Sequence, residues 1–181
     1  MNSFFPQDTK KPEKAAGNYM KLQDDVNRIR IVTDAIVGWV YWVPGENGNN
    51  KPVRVKECPD EVPAEAVEDK YGNFIKNFYA FGVYNYQENK VQILEITQSS
   101  IQEAIFDYNV DEDWGSPKAY DLKITRKNEG GKVKYTVNAV GKDELPMKVA
   151  NAVAEKPMNL EALFDNADPF MEVVDIASIN V

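Results

Sequence analysis

Hydrophobic and polar residues alternate over several stretches of this chain, and such alternation is typical of half-buried β-strands. The first stretch, residues 27–42, begins with NRIRIV, in which the two isoleucines share one face while Arg28 and Arg30 share the other. Extended structure continues through IVGWVYW, where the glycine is a candidate bulge or bend. The pattern predicts one long, bent first strand.

Two further pairs of strands are predicted as hairpins. Residues 77–86 and 90–97 are rich in aromatic and β-branched residues and are separated by the turn residues QEN. Residues 119–127 and 132–140 alternate in the same way on either side of NEGG. In this second hairpin the residues expected to face the core are Tyr120, Leu122, Ile124, Val133, Tyr135 and Val137.

Between the hairpins, the hydrophobic period changes to that of a helix. Ser99 or Ser100 is a candidate N-cap, because a glutamine and a glutamate follow three residues later and can close a capping box. The predicted apolar stripe consists of Ile101, Ala104, Ile105 and Tyr108. The segment DEDWGSP is expected to end the helix.

The predicted order is a long strand, an insertion, a hairpin, a helix and a second hairpin. The insertion, residues 44–72, is rich in Pro, Gly, Asn and acidic residues and contains one short extended piece, KPVRVK. This is the order of the five-stranded, partly open OB-fold barrel, in which a sheet face and neighbouring loops bind oligonucleotides or oligosaccharides. The predicted fold class is therefore mainly β, with a long insertion between the first and second strands. Another small barrel with the same order is the alternative.

The net charge of −8 is distributed unevenly along the chain. Residues 143–181 contain eight acidic residues and two lysines, whereas residues 17–142 contain 19 acidic and 16 basic residues. Residues 1–16 are polar and rich in Pro and Lys, without hydrophobic periodicity. We therefore expect a flexible N-terminal arm (1–16), a folded domain (17–142) and an acidic C-terminal tail (143–181).

The absence of histidine restricts the chemistry most, because histidine is the usual general base and the commonest metal ligand. With Cys58 as its single cysteine, the chain offers neither an internal disulfide nor a zinc site, so no metal or cofactor is expected. The remaining catalytic alternative is a carboxylate enzyme, with candidate residues Asp111, Glu112 and Asp113, or Glu95 and Asp121. An acidic triplet at a helix end is more typical of solvated residues, so a non-catalytic protein is expected.

The sequence shows no sign of membrane insertion or export. No apolar run approaches the roughly 18–20 residues that cross a bilayer. The first residues have neither the charged and apolar regions nor the cleavage site of a signal peptide. A cytoplasmic protein without a membrane partner is expected.

Aromatic and basic residues are concentrated on the predicted strands and in the insertion. The aromatic candidates are Trp39, Tyr41, Trp42, Tyr79, Phe81, Tyr84 and Tyr86, and the basic candidates are Arg28, Arg30, Arg54, Lys56, Lys123, Lys127, Lys132 and Lys134. Aromatic rings stack on unpaired bases, and basic side chains neutralise backbone phosphates. Because alternate residues of a strand face opposite sides, one set of rings fills the core and another looks outward, and the sequence leaves open which set does so.

Six segments, taken in order, resemble the single-stranded DNA-binding proteins of tailed bacteriophages: VNRIRIV, GWVYW, KPVRVK, FYAFGVYNY, VQILEITQSSIQEAIFDY and DEDWGSPKAYDLKITRK. The likeness extends over roughly residues 18–140. It implies an OB-fold core, an acidic C-terminus and sequence-independent binding of single-stranded DNA in phage replication and recombination, within the host cytoplasm. Some members of that family carry a structural zinc, and this chain departs from them because it lacks the ligands.

The acidic tail also contains apolar residues that are expected to be exposed: Leu160, Leu163, Phe164, Phe170 and Met171. Asn159 is a candidate cap for a short helix. We expect the tail to compete with DNA for the basic groove and, once displaced, to recruit replication or recombination proteins. A helix packed on the barrel is the alternative.

A different class of function is also compatible with these patterns. In a structural or carbohydrate-binding barrel, such as a virion component, the aromatic rings would stack on sugars or pack against a protein partner. The sequence leaves this alternative open, together with the preference for DNA or RNA and the oligomeric state, a homo-oligomer included.

Overall fold

One open antiparallel sheet forms most of the structure, a computed structural model that describes residues 17–170. Its seven strands are β1 (Asp25–Ile31), β2 (Ile36–Pro44), β3 (Asn50–Val55), β4 (Ile75–Asn85), β5 (Lys90–Ile96), β6 (Asp121–Glu129) and β7 (Lys132–Ala139). The helices of this range are α1 (Ser99–Val110), α2 (Met147–Glu155) and the 3₁₀ helices Pro117–Ala119 and Leu160–Asp165. None of them is both long and apolar enough to cross a membrane. The predicted N-terminal arm lies outside the described residues.

The strands lie in the order β3-β2-β4-β1-β6-β7, and β5 pairs with β4 beside this path. The class is mainly β, as predicted, but the sheet has seven strands instead of five, because the first strand is divided and KPVRVK pairs with β2 as β3. Within the described residues β5 and β7 do not pair, so the sheet is not a closed five-stranded barrel. At Ile93, β5 instead meets the start of the described chain: Met20 N donates to the Ile93 carbonyl, and Ile93 N donates to the Asn18 carbonyl, both at 2.8 Å.

The predicted long first strand is divided where β1 and β2 follow one another along β4. β1 pairs with β4 as far as Ile31, and pairing resumes at Ile36 in β2. Between them, Val32 N donates to the Gly82 carbonyl at 2.9 Å, and Gly82 N donates to the Thr33 hydroxyl at 2.8 Å. The chain therefore bends without leaving its neighbour, so one continuous surface spans both strands.

Alternation along β4 defines the two faces of the sheet: the inner face carries Tyr79, Phe81 and Val83, and the outer face carries Phe78, Ala80, Gly82 and Tyr84. The inner face packs against α1 in the largest hydrophobic cluster. Ile101 and Ile105 of the predicted stripe are buried there. The predicted inward residues of the second hairpin also join this cluster, except Val133, which is exposed.

The predicted capping box is wrong. The N-cap of α1 is Gln98, which makes no side-chain capping bond. Gln102 turns into the structure instead, and its amide donates to the carbonyls of Ile96 at 2.9 Å and Asn77 at 3.2 Å. These hydrogen bonds connect the start of α1 to the sheet. Gln102 is therefore used for a tertiary contact and not for the predicted capping box.

The C-terminal segment, residues 143–170, packs on the outer face. Leu160 and Leu163 are 6% and 1% exposed among outer-face residues of β2, β4 and β5, so their predicted exposure is wrong. Val149 of α2 is buried against Tyr84. The predicted cap at Asn159 is confirmed, because its side chain accepts a hydrogen bond from Glu161 N at 3.2 Å. Met171 lies outside the described residues.

Tyr120 gives the inner core a predictable response to alkaline pH. Its ring is buried, its hydroxyl donates to the Gly115 carbonyl at 3.0 Å, and burial raises the pKa of Tyr120 from 10.0 to about 12. The unfolded chain ionises this phenol first, so its contribution to stability is complete below pH 10 and is lost as pH rises to about 12. We expect the urea concentration at the unfolding midpoint to fall less steeply above pH 10 in Tyr120→Phe than in the unaltered chain. Tyr71→Phe, at an exposed tyrosine, is the control, and equal slopes in all three proteins would contradict the assignment.

Candidate nucleic-acid interface

The register of the strands divides the predicted interface residues between the two faces of the sheet. Residues directly opposite each other in neighbouring antiparallel strands share a face. The outer face carries Arg28, Arg30, Trp42, Arg54, Lys56, Tyr84, Tyr86, Lys123, Lys127, Lys132 and Lys134. The opposite side carries Trp39, Tyr41, Tyr79 and Phe81.

The four rings on the inner side are separated from the basic residues. Phe81 is 1% exposed in the core, so its predicted role in stacking on bases is corrected. Tyr79 packs against the same core and lines a cavity of about 330 Å³ next to α1. Trp39 and Tyr41 are half-buried on the inner side of the β2–β3 hairpin. Strand alternation therefore places all four away from the outer face.

Exposed basic side chains line the outer face of β1, β6 and β7. This basic strip consists of Arg28, Lys123, Lys127, Lys132 and Lys134, all exposed. Arg28 lies directly opposite Lys123, and Lys127 directly opposite Lys134. Like charges in such positions destabilise a sheet. Asp121 and Glu129 already pair with Arg28 and Lys134, and a bound polyanion would relieve the repulsion that remains, so the strip suits a phosphate backbone.

A buried carboxylate binds two arginines and a tyrosine at the Arg28 end of the basic strip. Asp121 is 4% exposed and accepts hydrogen bonds from Arg28 Nη2 at 2.7 Å, Arg30 Nε at 2.6 Å and the Tyr86 hydroxyl at 3.0 Å. Burial and the neighbouring carboxylate of Asp121 raise the pKa of Tyr86. Arg30 is only 3% exposed and also donates to the Asp143 carbonyl, at 3.4 Å. The predicted phosphate contact of Arg30 is therefore corrected to a structural ion pair, whereas Arg28 stays accessible above Tyr86, 5.2 Å from its ring centroid.

The other half of the outer face lies beneath the C-terminal segment. This covered platform consists of Trp42, Arg54, Phe78 and Tyr84, together with Lys56, whose side chain stays 67% exposed while it pairs with Glu161. Phe78 is fully buried and Tyr84 is 1% exposed, which corrects the predicted open position of Tyr84. Arg54 is 11% exposed and pairs with Glu95 at 2.7 Å. The C-terminal segment, not the inner core, covers these two rings, so they become accessible if the segment leaves.

Two glycines form notches that receive side chains of the C-terminal segment. A Cβ at Gly82 would lie 2.5 Å from Met158 Sδ and 2.8 Å from a methyl group of Thr33. A Cβ at Gly38 would lie 2.8 Å from Phe164 Cε1. Distances below about 3 Å leave no room for even one methyl group. At Gly38 the nearest atom is the Val55 carbonyl oxygen, at 2.6 Å, so this glycine accommodates the β3 backbone as well as the segment.

Charged groups complete the docking of the segment. Lys56 Nζ lies 2.7 Å from a carboxylate oxygen of Glu161, and this hydrogen bond raises the pKa of Lys56. Lys156 donates to the Asn18 side chain at 3.1 Å and lies 4.3 Å from the ring centroid of Phe170. Burial lowers the pKa of Lys156. Ionic, aromatic and apolar contacts thus act together across the covered platform.

The candidate catalytic acids have structural partners. Asp111 accepts hydrogen bonds from Asp113 N at 2.8 Å and Trp114 N at 3.1 Å, which forms the turn after α1. Glu95 pairs with Arg54, and Asp121 pairs with Arg28 and Arg30. Among residues 17–170, no group of three or more His, Cys, Asp or Glu residues is arranged to hold a metal ion.

The sequence prediction omitted several residues that shape this interface: Gly38, Phe78, Gly82 and Met158. Phe78 has the same parity as Tyr84 along β4, which was the available signal. The two glycines interrupt aromatic strands at outward positions, a pattern that marks close approach of another chain segment. Which segment approaches depends on long-range packing, which local patterns do not encode.

No protein-family model matches this chain, and no solved structure matches it significantly. A curated protein of Escherichia phage T5, described as a probable ssDNA-binding protein, is 24% identical over 151 residues. The alignment includes 72% of this chain and 58% of the T5 protein, so the chain spans less than two thirds of that relative's length. The chain is thus similar, at modest identity, to a probable single-stranded DNA-binding protein of a bacteriophage.

Proposed function

We propose that this chain binds single-stranded DNA, without regard to sequence, along the outer face of its sheet. The observation that carries the proposal is that exposed cations and aromatic rings share this one face. The basic strip would neutralise phosphates, and the rings of the covered platform would stack on bases, each stacked base contributing about 1–3 kcal/mol. The modest similarity to a phage protein described as a probable single-stranded DNA-binding protein supports the same partner.

The strand connectivity also supports this assignment. Taking β1 and β2 as one bent strand, the order with β4, β5, α1, β6 and β7 is that of an OB-fold with an added β3 hairpin. OB-folds bind oligonucleotides on the face of their second and third strands, here β4 and β5, and on neighbouring loops. This face is the one that the C-terminal segment covers.

The C-terminal segment is proposed to regulate access of DNA to the covered platform. Residues 143–181 contribute most of the net negative charge, and Glu161 of this region pairs with Lys56 on the platform. DNA and the segment would compete for the same cations and rings. A displaced segment would expose acidic and apolar residues to replication or recombination proteins, in the cytoplasm of a phage-infected host.

Substitution of one cation in the basic strip tests DNA binding on this face. We expect Lys123→Gln to weaken binding of oligo-dT and to reduce the slope of log K against log salt by about 0.7, the value for one phosphate contact on a single strand. Anisotropy of a labelled oligo-dT, titrated at several salt concentrations, measures both quantities.

Lys118→Gln is the matched control. It removes the same charge from a lysine that pairs with Asp34 and lines the cavity on the inner side of the sheet. We expect its salt slope to equal that of the unaltered chain. If both substitutions reduce the salt slope equally, the effect of Lys123 reflects the net charge of the protein and not a phosphate contact on the outer face. If the unaltered chain gives no salt-dependent binding, the proposed function is wrong.

A further inference from the structure

Phe164 and Glu161 place an aromatic ring and a carboxylate around a single lysine on the covered platform. Lys56 Nζ lies 5.3 Å from the ring centroid of Phe164 and 2.7 Å from Glu161 Oε2. The other neighbour of the ring is Phe78, at a centroid distance of 5.9 Å and an interplanar angle of 49°. One ring therefore lies between an aromatic side chain and a cation, with an anion bound to that same cation.

Gly38 provides the floor of this arrangement. A Cβ at this position would lie 2.6 Å from the Val55 carbonyl oxygen, 2.8 Å from Phe164 Cε1 and 2.9 Å from Phe78 Cε1. The missing side chain therefore leaves a notch, bordered by the β3 backbone and Phe78, in which the edge of the Phe164 ring lies. All buried neighbours of Phe78 that lie above the sheet come from the C-terminal segment, so the notch opens when the 3₁₀ helix leaves.

A nucleotide presents the same pair of groups, a flat ring and an anion held a short distance apart. Bases gain stabilisation from an aromatic wall and from a cation over the ring, and a lysine binds phosphate as a point charge. We infer that Gly38, Phe78 and Lys56 form a nucleotide subsite, in which Phe164 and Glu161 take the places of a base and its phosphate. This inference rests on the proposed function and assigns one of its contacts.

The subsite makes different demands from the basic strip. The exposed cations of the strip, such as Lys123, would bind only backbone phosphates, whereas the notch would also require a ring. Emptying the notch should therefore create a site for a single nucleotide.

Phe164→Ala in the full chain provides the test. We expect the backbone amide resonance of Gly38 to shift on titration with thymidine 5′-monophosphate in Phe164→Ala, with at least tenfold weaker binding in the unaltered chain. Adding Lys56→Gln to Phe164→Ala should abolish the shift. Phe106→Ala, which truncates an exposed phenylalanine of α1, is the matched control and should bind no nucleotide at Gly38.

A second readout guards against a folding defect in Phe164→Ala. Glu161 is exposed, so Glu161→Gln leaves the packing intact while removing the anion from Lys56. We expect it to raise affinity several-fold for an oligo-dT of about 15 nucleotides, the length of one OB-fold site. The Gly38 amide should shift when this oligonucleotide binds.

The outcomes separate the subsite from the proposed function. If the oligo-dT binds these variants while the Gly38 amide stays unmoved, the subsite is wrong and DNA binding on the basic strip stands. If the oligo-dT binds none of the variants nor the unaltered chain, both are wrong.

Discussion

Leu163→Asp is expected to raise the affinity of the full chain for oligo-dT by about ten- to one-hundredfold at low salt. Each 1.4 kcal/mol by which the docked C-terminal segment is destabilised raises this affinity about tenfold. Leu163 is 1% exposed against the outer face, where an unpaired carboxylate costs several kcal/mol. The lost burial of the leucine, roughly 1.5–3 kcal/mol, adds to this cost, so the 3₁₀ helix should leave the covered platform. The apparent Kd then falls because a larger fraction of molecules is open.

The direction of this effect is diagnostic, because an added negative charge by itself weakens DNA binding. Leu145→Asp is the matched control: it adds the same charge to the same segment at an exposed leucine. We expect it to leave affinity unchanged or slightly reduced. Anisotropy titrations of labelled oligo-dT compare the two variants. Equal affinities for Leu163→Asp and Leu145→Asp would show that the segment does not restrict access.

Asp121→Asn is expected to lower the free energy of unfolding by about 3–5 kcal/mol, the usual cost of breaking a buried ion pair. The change leaves Arg30, 3% exposed, without its charged partner at 2.6 Å, and replaces one of the two oxygens that accept from Arg30 and Arg28 with an amide donor. Urea unfolding followed by circular dichroism measures the loss.

An exposed ion pair on the same hairpin supplies the comparison. Glu129 pairs with Lys134 at 2.8 Å, and both side chains are more than half exposed. We expect Glu129→Gln to cost at most about 1 kcal/mol, because water screens exposed pairs. A loss for Asp121→Asn no larger than this would mean that Asp121 does not organise β1, β4 and β6.

Local pattern was sufficient for the hairpins and the helix. Residues 77–86 are rich in aromatic and β-branched residues because both faces of β4 are buried, and the stripe at Ile101 and Ile105 reflects contact with the inner core. Such patterns depend on a residue's near neighbours in sequence. The division of the first strand escaped prediction, because it depends on Thr33 meeting Gly82, 49 residues away.

The types of residue in the candidate site could be predicted from the sequence, but the solvent exposure of each residue could not. Alternation correctly placed Arg30 on the face of β1 that points away from the buried isoleucines. Its burial, however, follows from the register of β1 against β6, which brings Arg30 to Asp121. Tyr84 was likewise a candidate for stacking on bases, but α2 covers it. Leu160 and Leu163 were expected to be exposed, because only the folded sheet shows the outer-face residues against which they pack.

Hydrogen exchange of the full chain, with and without saturating oligo-dT, tests the central claim most directly. The claim is that DNA and the C-terminal segment occupy the same outer face. If so, the amides of Met147–Glu155 and Leu160–Asp165 will exchange faster when DNA is bound, while those of α1 on the inner side keep their protection. Unchanged or slower exchange of the C-terminal helices in the DNA complex would contradict the account.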